Sequence, residues 1–242
     1  MNFKTYTLAF LTLLVISCKG KTEKDITTSN FTNTFTGKMD GENPLLLKLK
    51  ADNGILTGTY FYNNLGKNMD VKGTISKDST IILNELDNNG TQTGLWKAKL
   101  INQNEMSGTW SKPNGDSAKN FTLNTTSETF EAAKQSMLDT KYANYNGSYN
   151  GPYNEDGMAT GKLILKYLGN QEMDFDITIG NESGCTGKLM GVAEIDAYGS
   201  AIYTGSGCES LNFEFRNGEI DVIEDNCNAD GMNCYFSGTY KK

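Results

Sequence analysis

Histidine is absent from all 242 residues. Its absence excludes a Ser-His or Cys-His nucleophile pair and any metal centre that depends on imidazole. Proline falls to three residues and alanine to 12, while glycine reaches 26, and this balance disfavours a helical protein. Basic residues are also short: 22 Lys and Arg stand against 29 Asp and Glu, for a net charge of −7. Nucleic-acid binding rests on clustered cations that neutralise phosphates, so no nucleic-acid partner is expected. No glycine-rich phosphate loop, G-x-S-x-G elbow or dinucleotide fingerprint occurs, and no cofactor is implied. Beyond residue 18 no apolar run approaches the length of a membrane-spanning helix.

Hydrophobic residues make up 37% of the chain, enough to bury a core, and the length allows one or two domains. The N-terminus has its own logic. Lys4 gives a short positive start, and Tyr6 to Ile16 is an apolar stretch too short to span a bilayer but right for a signal-peptide core. It ends in Val15-Ile16-Ser17-Cys18, which resembles the lipobox of bacterial lipoproteins. The resemblance implies cleavage of residues 1–17 and acylation of Cys18, with the chain anchored to a membrane through its N-terminal lipid. Two or three acyl chains hold such an anchor where one would not. Lys19 in place of Asp implies, by the same resemblance, an outer-membrane lipoprotein of the cell envelope, facing the periplasm or the surface. Residues 18–30 carry no apolar pattern and read as a lipidated flexible tether.

Downstream, period-two alternation dominates. Met69-Asp-Val71-Lys-Gly73-Thr-Ile75, Met173-Asp-Phe175-Asp-Ile177 and Leu211-Asn-Phe213-Glu-Phe215 each present one apolar and one wet face, as antiparallel strands do. Turn signals such as Asp52-Asn53-Gly54, Asp87-Asn-Asn-Gly90 and Asn217-Gly218 recur about every ten residues. The spacing predicts eight strands in 31–124 and about eight more in 145–242. The fold class is therefore all-β: two tandem small antiparallel barrels or curled sandwiches, with one large sandwich as the alternative. Gly58, Gly73, Gly108 and Gly238 share parity with core residues, as inward glycines that let strands curl would. Between the halves, 125–144 predicts a linker with one short helix. Thr125 and Glu128 are spaced as a capping box, and Phe130, Ala133, Met137 and Leu138 fall on one face.

Cys185, Cys208, Cys227 and Cys234 all lie in the second half. In an exported chain four cysteines suggest two disulfides with three possible connectivities. The local pairing, 185–208 and 227–234, is favoured here; a zinc site is the rival but lacks a Cys-x₂-Cys pair. Asn226 to Asp230 echoes a calcium loop without its leading Asp or final Glu. Asp174 and Asp176 alternate with Phe175 and Ile177 and read as a solvated face rather than paired catalytic acids.

Ser237-Gly238-Thr239-Tyr240 is similar to the Ser-Gly-x-Tyr element of bacterial envelope lysozyme inhibitors. That resemblance implies a partner contact through Ser237, Gly238 and Tyr240. Ser107-Gly108-Thr109-Trp110 repeats the phrase as plain strand structure. The functional expectation is a non-catalytic binding module for a protein or glycan. An acidic chain would attract a cationic partner such as a lysozyme across a Debye length of ~8 Å. A barrel holding a small ligand and a carboxylate-based glycan hydrolase are the alternatives.

Overall fold

A computed structural model describes residues 30–242, except 64–65, 154–159, 181–183, 197 and 230–233. The expected leader, Cys18 and all of the tether before Asn30 lie outside the described residues. The first eight strands are β1 (Phe31–Met39), β2 (Asn43–Asp52), β3 (Ile55–Tyr62), β4 (Asn68–Ile75), β5 (Thr80–Leu86), β6 (Gln92–Asn102), β7 (Glu105–Ser111) and β8 (Lys119–Thr126). Each pairs antiparallel with the next, and β8 returns to β1, closing a barrel. Alternation decides what faces in. On β2, Leu45, Leu47, Leu49 and Ala51 are buried while Lys48 and Lys50 are exposed. The centre is filled: Trp96 meets Tyr60 edge-on at 5.0 Å and Phe121 at 4.9 Å. At Gly58 a side chain would collide with the Lys48 carbonyl of the neighbouring strand, so the predicted inward glycine is what lets the wall curl.

The second barrel repeats the plan with β9 (Gly147–Asn150), β10 (Gly161–Gly169), β11 (Glu172–Gly180), β12 (Thr186–Ile195), β13 (Ala201–Gly205), β14 (Cys208–Arg216), β15 (Glu219–Cys227) and β16 (Gly238–Lys241). It closes where Lys241 of β16 pairs with Asn150 of β9. Phe175, Phe213 and Tyr203 pack inside it, with ring centroids 5.0 and 5.1 Å from that of Phe175. The last strand begins later than the alternation suggested. Before Gly238 the ladder gives way to side chains: Phe236 N–H donates to Glu224 Oε2 at 2.7 Å, and Glu224 N–H donates to Ser237 Oγ at 3.0 Å.

Disulfide connectivity also departs from expectation. The bonds are Cys185–Cys234 and Cys208–Cys227, not the local pairs. Strand register decides it: β14 and β15 form a hairpin on the Asn217-Gly218 turn, in which Cys208 stands directly opposite Cys227. Cys185, entering β12, is then left for Cys234, and this bond ties the β11–β12 loop to the segment before β16.

Helix α1 (Phe130–Ala143) joins the barrels. Its N-cap is Thr129, whose side chain accepts from Ala132 N–H at 3.2 Å, a bond worth about 1 kcal/mol. The Thr125–Glu128 box does not form, because β8 runs on through Thr126 to pair with Thr34 of β1. Phe130, Ala133 and Leu138 are buried as the helical pattern required, in a cluster that takes in Leu46 and Phe61 from the outer face of β2 and β3. These two residues lie opposite each other across the β2–β3 ladder. Towards its C-terminus the helix reaches the second barrel. Tyr142 packs on Tyr167 and Phe215 at 5.8 and 5.5 Å, and Tyr167 Oη–H donates to Asp139 Oδ1 at 2.7 Å. One hydrophobic cluster therefore runs from the outside of the first barrel through the helix into the interior of the second.

Candidate functional site

This docking leaves a cleft of about 580 Å³ where barrel, helix and barrel meet, within the range of small-molecule sites and at a domain junction where such sites concentrate. Pro44 and Asn63 come from the first barrel, and Gly218 from the β14–β15 turn of the second. Ser136, Met137, Thr140 and Lys141 project from α1, with Tyr145 just beyond it. The 3.6-residue period places 136, 137, 140 and 141 on adjoining faces of the last two turns.

Lys141 is the charged group of the cleft. Its Nζ donates to the Asn63 carbonyl at 3.3 Å and stands 5.2 Å from the centroid of the Tyr142 ring. The ion pairs among the described residues are made by Lys188, Arg216 and Lys241, so the Lys141 ammonium has no carboxylate partner among them. Burial lowers its pKa from the usual lysine value. The carbonyls at the C-terminal end of α1 supply partial negative charge that offsets part of this cost. Asn63 Oδ1, on the same cleft residue, is buried without a hydrogen-bond partner. A half-buried ammonium with hydroxyl and amide side chains and Tyr145 in one lining can hold a small polar ligand.

A second cluster lies inside the first barrel. Glu85 is 4% exposed, the buried charged residue among those described. Its Oε2 accepts from Tyr60 Oη–H and Trp110 Nε1–H, each at 2.7 Å, and its Oε1 accepts from Thr93 Oγ1–H at 2.7 Å. Burial, then the charge of Glu85, pushes the Tyr60 pKa far above the normal phenol range. Gly94 opposes Glu85 across the β5–β6 ladder, and a Cβ there would lie 2.5 Å from Trp110 Nε1 and 2.6 Å from Glu85 Oε2. With both oxygens accepting from neutral donors, the carboxylate ties β3, β5, β6 and β7 together. Its signal was in the sequence: Glu85 continues the inward parity of Ile81 and Leu83.

The other sequence candidates fall elsewhere. Tyr240, expected at a partner surface, is fully buried, and its hydroxyl donates to the Phe236 carbonyl at 2.9 Å. Its parity with Phe236 decides this, and the residue belongs to the core. Ser237 spends its Oγ on Glu224 N–H. Gly238, at φ +139°, sits where a Cβ would meet Pro152 Cβ at 2.5 Å, so all three serve the barrel wall. Asp174 is exposed, while Asp176 is half-buried with Oδ2 3.5 Å from Lys188 Nζ. Asn226 donates from Nδ2 to Glu209 Oε2 at 2.7 Å, and Asp230 lies outside the described residues. All four downstream cysteines are in disulfides, so no thiolate remains among them for a metal. Among the described residues no three His, Cys, Asp or Glu side chains converge as ligands, and no helix is long and apolar enough to cross a membrane. Comparison with protein-family models, curated proteins and solved structures finds no match to the chain.

Proposed function

We propose that this protein is a lipid-tethered component of the bacterial cell envelope that binds a glycan without turning it over, in the cleft beside α1. The lipobox-like Val15-Ile16-Ser17-Cys18 supports the tether, and Lys19 after it supports the outer-membrane location. The observation that carries the binding role is the cleft itself: about 580 Å³, built from both barrels and the helix, with polar side chains in its lining. Both barrel interiors are packed with aromatic side chains, which favours this junction over a ligand held inside a barrel. The cleft combines the Tyr145 ring with hydroxyl and amide groups, a lining suited to the faces and hydroxyls of a sugar.

Calorimetric titration of a saccharide panel into the protein tests the reading, with Met137→Arg as the blocking variant. Met137 lines the cleft from α1, so a longer charged side chain there should fill it. Saccharide binding that Met137→Arg abolishes supports the proposal. Binding that survives the substitution, or none across the panel, contradicts it.

A further inference from the structure

We infer that the glycan bound in this cleft is acidic, a sugar of the hexuronic type whose single carboxylate pairs with Lys141. This rests on the reading of the cleft as a glycan site and adds the chemistry of the ligand. The chain carries 29 Asp and Glu residues, yet none of the residues lining the cleft is one of them. The overall charge of −7 repels anions at long range, so an acidic ligand needs a local cation to be held here. Lys141 is that cation. Its ammonium has three donors and one hydrogen bond, to the Asn63 carbonyl, and no ion pair among the described residues. A partly desolvated ammonium without a counter-ion is costly, and a carboxylate entering the cleft removes that cost.

The remaining groups narrow the class. Ser136, Thr140 and Asn144 also line the cleft, and their hydroxyl and amide oxygens call for a ligand that donates as well as accepts. A bare carboxylate cannot do this, whereas a sugar hydroxyl can. The partial negative charge at the C-terminal end of α1 disfavours a second negative charge. One ammonium, with no arginine in the lining, suits a monoanion; a phosphate dianion calls for more donors and bidentate geometry. Polyol donors, one negative charge and a ring face for Tyr145 together describe a hexuronate.

The test is calorimetric titration of the full-length protein with D-glucuronate, its methyl ester and D-glucose. Glucuronate should bind about tenfold tighter than the ester or glucose. Lys141→Met should remove that preference and Lys141→Arg should keep it. Raising salt from about 0.05 to about 0.5 M should weaken only the acid. Equal binding of acid and ester overturns the inference while leaving the glycan reading intact. A preference that survives Lys141→Met also overturns it. No binding of any of the three overturns this inference and counts against the glycan reading too. The acid–ester comparison on the unaltered protein decides the matter even if the Lys141 variants fail to fold.

Discussion

Removing the buried carboxylate of Glu85 should weaken the first barrel in a way that depends on the replacement. Glu85→Ala deletes three hydrogen bonds to a charged acceptor and leaves Tyr60 Oη–H and Trp110 Nε1–H without a partner inside the barrel. Such bonds contribute about 1.5–3 kcal/mol each, and relief of the carboxylate's own desolvation offsets part of their sum. The expected loss is about 3–5 kcal/mol. Glu85→Gln is the instructive contrast. Trp110 Nε1 can only donate, so the amide oxygen must take the Oε2 position, accepting from Trp110 and Tyr60. The amide nitrogen then donates to Thr93 Oγ1, whose hydroxyl can turn to accept. Tyr60, Trp110 and Thr93 each keep a partner, and the loss is the charge assistance plus one unpaired amide N–H, a cost of about 1–2 kcal/mol. Urea titration followed by tryptophan fluorescence is the assay, because both tryptophans of the chain, Trp96 and Trp110, lie in the first barrel. Equal losses for the two variants, or a larger loss for glutamine, would refute the hydrogen-bond reasoning.

Buried tyrosines predict alkaline sensitivity. Tyr142 and Tyr149 are pushed up to about 12, chiefly by burial, so above pH ~10 the unfolded chain ionises first and binds fewer protons than the folded one. Stability is fully present below pH ~10 and should fall as the pH rises from there towards ~12, by at most about 1.4 kcal/mol per pH unit for each and by less where water screens the phenolate. Tyr60 and Tyr240 are shifted in the same direction and add to the slope. Urea midpoints at pH ~9 and ~11 measure this, and an unchanged midpoint would contradict the burial argument. Reduction should destabilise the second barrel: the closed loops of 19 and 49 residues correspond to about 3 and about 4 kcal/mol of chain entropy. Non-reducing peptide mapping should recover Cys208–Cys227 and Cys185–Cys234, and the local pairs would refute the register. Mass spectrometry of the native N-terminus should find acylated Cys18, and Cys18→Ala should leave the leader uncleaved; a mature N-terminus elsewhere, without lipid, would remove the tether.

The barrels were legible because alternation is a local property: parity along β2, β11 and β14 names the inward side chains before any pairing is known. Inward glycine at Gly58 was legible for the same reason. The disulfides needed one further step, since counting back equally from the Asn217-Gly218 turn lands on Cys208 and Cys227. Glu85 was legible as an acid at an inward position, though Tyr60, Thr93 and Trp110 as its partners depend on four strands meeting. Lys141 carried no signal. Its environment is made by Asn63 from one barrel and Tyr142 from the helix, brought together only by docking. The Ser237–Tyr240 phrase lies in the barrel wall, where Tyr240 obeys the alternation of the core.

The most direct test of the central claim is a map of backbone amide shifts in the protein titrated with D-glucuronate. The account predicts saturable changes centred on Asn63, on Ser136 to Tyr145 of the helical segment, and on Gly218. Changes confined to another surface, or no saturable change at all, would contradict a glycan-binding cleft between the barrels.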